Sequence, residues 1–121
     1  MTTNQTIESI LDGLTVDNVE IPVVQGFYYG NAETYITYTM VGREVPLCAD
    51  DDFVEVAELI DFDIYSRGDL VKVERAIKPL LRSGGFQWQP SRSSGDLYEP
   101  DTGYHHRTLC FAYFTTEQED R

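Results

Sequence analysis

Two adjacent histidines, His105 and His106, follow the acids Asp96, Glu99 and Asp101 in the stretch DLYEPDTGYHHRTLCFAYF. Imidazole and carboxylate groups hold transition metals and move protons near neutral pH. Spacing decides whether they can act together. If 104–116 is a strand, neighbouring side chains project to opposite faces. The two histidines then cannot grip one ion, and a metal would need one of them plus distant acids. Catalytic zinc usually takes three protein ligands, often several of them histidine, and this chain has two histidines in all. Asp61 and Asp63 lie two apart in an alternating run, so they share a face. Paired carboxylates serve as acid and base only when held near a ligand. Asp50, Asp51 and Asp52 offer carboxylates to calcium but lack the alternating acid-Gly order of a dedicated loop. No Walker loop, Gly-x-Gly-x-x-Gly, Gly-x-Ser-x-Gly or Cys-x-x-Cys is present. The histidines therefore read as strand residues, one partly packed and one exposed, and the aspartates as facing solvent or an interface. No catalytic, metal or cofactor residue is assigned, and the chain reads as a non-enzyme.

Charge narrows the partners. The 121 residues carry nine Lys and Arg against 21 acids, a net charge of −12. Gripping nucleic acid requires cations that neutralise phosphates, so stable binding to DNA or RNA is not expected. Arg67, Lys72, Arg75, Lys78 and Arg82 fall in one short segment, which leaves the rest more acidic still. No stretch approaches the about 20 apolar residues of a membrane span. The opening MTTNQTIESILDGL has neither basic residues nor a continuous apolar run, and does not read as a secretory signal. Cys48 and Cys110 are far apart and read as small buried residues of a reducing compartment.

The elements that must position these residues follow from periodicity. Ile7, Ile10, Leu11 and Leu14 predict a short helix at about 4–12, capped by Thr3 or Asn4 and ended near Gly13. The runs 19–30 and 34–45, joined by the turn GNAE, read as a hairpin, with a bulge or bend at Gly42. PLCADDD (46–52) reads as a loop. Residues 53–67 alternate, with Ile60, Phe62 and Ile64 inward and Asp61, Asp63 and Tyr65 outward. Glu58 shares the inward parity, so a bulge near Ala57-Glu58 is expected. Asp69 caps a second helix whose stripe is Leu70, Val73, Ile77, Leu80 and Leu81. Glu74 and Lys78 have the favourable i,i+4 order, Pro79 should kink the last turn, and Ser83-Gly84-Gly85 stops the helix. Residues 86–91 form a short strand with Phe86 and Trp88 on one face, 92–103 a polar loop, and 104–116 a final strand. The termini, 1–3 and 116–121, are expected to fray. The result is one α+β domain over 1–121, in the order α-β-β-β-α-β-β. An antiparallel sheet carries both helices on one face.

This succession resembles the tail completion, or tail terminator, proteins of long non-contractile-tailed bacteriophages. The resemblance rests on VEIPVVQGFYYGNAETYITY, on ADDDFVEVAELIDFDIYSRGD, on the helix entering LLRSGGF, and on DLYEPDTGYHHRTLCFAYF. Together these span 5–115. It implies a virion protein at the head–tail junction, made in the host cytoplasm. Such a protein caps the head-proximal end of the tail tube as a six-fold ring, stops tube polymerisation and joins the tail to the head connector. The implied partners are further copies of itself, the tail tube protein and the connector or stopper. DNA would pass an acidic lumen without specific binding. A closed ring needs a head-to-tail interface, for which Arg75, Lys78 and Arg82 are the candidate residues. A stopper-like neck or minor capsid component is the alternative of the same class. A small metal-binding enzyme or ligand module using His105 or His106 with Asp61 or Asp63 is the alternative of a different class.

Overall fold

Three long strands dominate the chain. The structure, a computed structural model, describes residues 2–48 and 53–118, with side chains described for 2–44 and 55–115. In chain order the elements are α1 (Thr3–Leu11), β1 (Thr15–Val16), β2 (Val19–Glu20), β3 (Val23–Gln25), β4 (Thr34–Cys48), β5 (Phe53–Ser66), α2 (Leu70–Ser83), β6 (Phe86–Trp88), β7 (Leu97–Glu99) and β8 (Tyr104–Gln118). A 3-10 turn at Pro90–Arg92 follows β6. The main sheet runs β3-β4-β5-β8-β6, with β7 also on β8, and β1-β2 is a separate small ribbon. The α+β class stands, with both helices on one sheet face.

The core explains that arrangement. Ile7 and Leu11 of α1 join Leu70, Val73, Ile77 and Leu81 of α2, spaced to form one helical stripe. They pack on Ile36 and Tyr38 of β4, Ile60, Phe62 and Ile64 of β5, and Leu109 and Phe111 of β8. These sheet residues are of one parity on each strand, so they share one face. Phe62 meets both Phe86 and Phe111 edge-on. The residues of opposite parity, including Asp61 and Asp63, are left on the face without helices.

Several expectations need correction. The proposed hairpin of 19–30 and 34–45 does not form. β3 pairs with β4 in parallel, Val23 opposite Ile36, so the sheet is mixed and not purely antiparallel. Gly26 ends β3 with a left-handed φ of 84°, a conformation glycine adopts at little cost. Residues 26–33 then fold back, and Tyr28 stacks on Tyr35, so the chain enters β4 near the level where β3 began. Within 15–20 a short hairpin does form, β1-β2, through Asp17 and Asn18, both at positive φ. That is the geometry two-residue hairpin turns require. Residues 46–48 belong to β4 and not to a loop, while Asp50, Asp51 and Asp52 lie outside the described residues. The stretch 92–103 contains β7.

The bulge at Gly42 is present, since the β4–β5 register shifts between Met40 and Gly42. The one expected at Ala57-Glu58 is absent: β5 keeps unbroken register with β8, and the second shift lies on β4 between Glu44 and Leu47. Glu58 therefore does point to the helix side. It is buried there, accepts a hydrogen bond from the Thr3 hydroxyl and pairs with Arg43. The cap of α1 is Thr2 and not Thr3 or Asn4: its side chain accepts from the Gln5 backbone N–H and the Gln5 side chain accepts from the Thr2 N–H, a capping box. β8 continues to Gln118, and 119–121 lie outside the described residues. In α2, Asp69 caps as expected and Gly84 closes the helix, which runs through Pro79. Leu80 is exposed and not part of the stripe.

Candidate functional site

The helix-free face of the sheet is organised by register. Tyr35, Tyr65 and His106 are direct cross-strand neighbours. Their rings stack in a row, 4.6 Å between Tyr35 and Tyr65 and 4.2 Å between Tyr65 and His106. Tyr28 extends the row at 4.4 Å from Tyr35. Tyr104 meets Tyr35 edge-on, and the Arg67 guanidinium lies 4.3 Å from the centre of the Tyr104 ring. Burial, followed by the nearby Asp63 charge, pushes the Tyr65 phenol up to about 12.

The next row is polar. Thr37, Asp63 and Thr108 are cross-strand neighbours. Asp63 Oδ1 accepts from the Thr108 hydroxyl at 2.6 Å and lies 3.0 Å from His106 Nε2. Burial raises the pKa of Asp63, but the hydrogen bonds from His106 and Thr108 outweigh it, and the net shift is downward. An ionised carboxylate only accepts, so Nε2 carries the proton in this bond. One row on, Asp61 stands between Thr39 and Cys110. Burial raises its pKa, only partly offset by the Cys110 hydrogen bond. The Cys110 thiol is pushed up to about 11 by burial and then by Asp61. Cys110 also joins Leu59 and Ala112 in a small second cluster.

His106, Asp63 and Thr108 share the residue types of a nucleophile-activating triad but not its wiring. In such a triad one imidazole nitrogen faces the carboxylate and the other takes the hydroxyl proton. Here Thr108 donates to Asp63 itself, and the nearer imidazole nitrogen is the same Nε2, 3.5 Å away. The arrangement holds the Asp63 charge in place and does not activate the hydroxyl.

His105 projects to the opposite face, as alternation requires, and lies near the Tyr98 ring of β7. Both histidines are half-buried, which agrees with the partly packed one expected and corrects the expectation that the other is exposed. Asp61 and Asp63 do share a face. No group of three or more His, Cys, Asp or Glu able to hold a metal ion occurs among the described residues.

The three basic residues singled out on α2 separate. Lys78 is half-buried, donates to Glu74 at 2.7 Å and sits 3.4 Å from the centre of the Trp88 ring. Arg107 bonds the other Glu74 oxygen and reaches Asp96. Arg75 and Arg82 are exposed, and neither forms an ion pair with a described residue.

Sequence reasoning missed a cleft of about 440 Å³ lined by Tyr28, Tyr35, Tyr65, Thr37, Thr39 and Asp63. Gly26 and Phe27 complete it, and Phe27 and Tyr29 of the same loop are strongly exposed. The outward parity of Tyr35, Asp63 and Tyr65 was readable. The folded-back loop that supplies Tyr28 was not. Compared with known proteins, the chain matches no family model and no curated sequence. Among the described residues, no helix is long and apolar enough to cross a membrane.

Proposed function

We propose that the chain is a subunit of a ring that closes the head-proximal end of a non-contractile phage tail and joins it to the head. The carrying observation is the excess length of the central strands. β4, β5 and β8 have 15, 14 and 15 residues, each about 45–50 Å if extended. α2 has 14 residues, about 21 Å. On these three strands the main core lies within 36–38, 60–64 and 109–111, with Tyr113 packed against it and Val56 and Ala57 also buried. The ladder nevertheless continues in pairs to Cys48, Phe53 and Gln118. A domain that needed only its own core would stop sooner. Three strands carried past the core supply a projecting sheet for contact with neighbouring subunits. The net charge of −12 suits a lumen that DNA passes without adhering.

On this reading the partners are copies of the chain, the tail tube protein and the head connector or stopper, and the place of action is the virion. The test is to delete the reading frame from the phage that encodes it and image the lysate by negative-stain electron microscopy. Overlong tails beside DNA-filled, tailless heads are expected. Normal tails with unattached heads would replace the terminator by a stopper-like neck part, and normal virions would overturn the reading altogether.

A further inference from the structure

We propose that the cleft at Asp63 receives a guanidinium group from the Arg75–Arg82 stripe of a neighbouring copy of this chain. The proposal rests on the ring reading above and names the two surfaces that meet.

The cleft has the chemistry of a cation receptor. Asp63 Oδ1 is occupied by Thr108 and His106, while Oδ2 takes no hydrogen bond from a described residue. No buried polar side-chain atom lacks a partner among the described residues, so Oδ2 is open to solvent. Tyr28, Tyr35 and Tyr65 supply aromatic rings beside it, and Thr37 and Thr39 supply hydroxyls. The faces of Tyr35 and Tyr65 are covered by their stacked neighbours, so an entering cation meets the open Oδ2, the edges of the tyrosine rings and the threonine hydroxyls, and pairs with Asp63 through one N–H. The same face already holds one guanidinium on a tyrosine, Arg67 over Tyr104.

The donor follows by elimination. Among the described residues, Arg43 pairs with Glu58, Arg67 with Glu33, Lys72 with Asp17, Lys78 with Glu74, Arg92 with Glu44, and Arg107 with Glu74 and Asp96. Arg75 and Arg82 are the described Lys and Arg residues left without such a pair. They are seven residues apart in α2, on one side of the helix and about 10 Å from each other along its axis. The opposite side carries the buried Val73, Ile77 and Leu81. The arginine stripe therefore faces away from the sheet, and the Asp63 cleft opens on the sheet's other face. Within one chain the two cannot meet. Between copies each subunit offers one donor and one receptor, the relation of a head-to-tail contact. For a chain of net charge −12, copies repel unless the contact places a basic surface on an acidic one.

The test uses the purified full chain in sedimentation velocity over a concentration series. Arg75→Glu/Arg82→Glu removes the donor. Thr39→Lys, at an exposed position lining the cleft, fills the receptor with the chain's own cation. Circular-dichroism melts check that both variants fold. Wild type should self-associate, and each variant alone should do so about tenfold more weakly or worse. An equimolar mixture of the variants should form 1:1 dimers that grow no further, because one intact donor still meets one intact receptor. Variants that associate like wild type, a mixture that stays monomeric, or a wild type that is monomeric throughout would each overturn the contact. Overlong tails in the deletion lysate without such dimers would sink the contact and leave the terminator reading. Dimers with normal virions would do the reverse.

Discussion

Replacing Thr108 by Val tests whether the Asp63 charge is held as described. The change removes one hydroxyl and keeps a β-branched side chain suited to a strand. What is lost is the 2.6 Å bond to Asp63 Oδ1. A hydrogen bond to a charged acceptor contributes about 1.5–3 kcal/mol. Asp63 retains 22% side-chain exposure, so water replaces part of the lost bond and about 1–2 kcal/mol is expected. At this chain length that lowers Tm by about 4–8 °C. The effect must depend on pH. The folded Asp63 pKa is depressed, so its stabilisation is fully present above the ordinary aspartate value of about 3.9. It fades as pH falls through the lower folded value. Urea unfolding of wild type and variant at neutral and acid pH measures the gap. The gap should be largest near neutrality and shrink in acid. A variant as stable as wild type at neutral pH, or a deficit undiminished in acid, would refute the account of Asp63.

Two further outcomes are expected. Glu74→Gln leaves Lys78 and Arg107 facing each other without the shared carboxylate. It should cost about 1–3 kcal/mol by denaturant titration, with a coupling to Arg107→Gln in a double-mutant cycle. Burial raises the Glu74 pKa, but the hydrogen bonds from Lys78 and Arg107 outweigh it and hold it low, so this deficit too should narrow in acid. The Cys110 thiol, buried and raised to about 11, should resist iodoacetamide at neutral pH in the folded chain and react once urea unfolds it. Peptide mass spectrometry reads the site directly, and fast labelling of native Cys110 would contradict its burial.

How much was legible depended on whether a signal was local. The α2 stripe at Leu70, Val73, Ile77 and Leu81, the Asp69 cap and the alternation through Ile60, Phe62 and Ile64 were readable. Each depends on residues a few positions apart and on one period. Leu80 was misread because a stripe one residue wider than the contact looks the same in sequence. The Glu58 bulge was misread for a related reason. An inward acid looked unsatisfied until Thr3 and Arg43, distant in sequence, were seen to meet it.

The candidate site divides along the same line. Sequence alone determined that Asp61, Asp63 and Tyr65 share a face, that His105 and His106 cannot, and that the chain carries a net charge of −12, because alternation and charge are properties of the chain itself. Only the tertiary structure decided that Tyr28 returns to cap the aromatic row, that Thr108 and His106 hold Asp63, and that Lys78 is committed to Glu74 and Trp88 while Arg75 and Arg82 stay free of ion pairs with described residues. Those outcomes depend on strand order and on a loop folding back from Gly26. Parallel pairing of β3 with β4 joins segments whose local patterns suit an antiparallel hairpin equally well, and long-range packing made the choice.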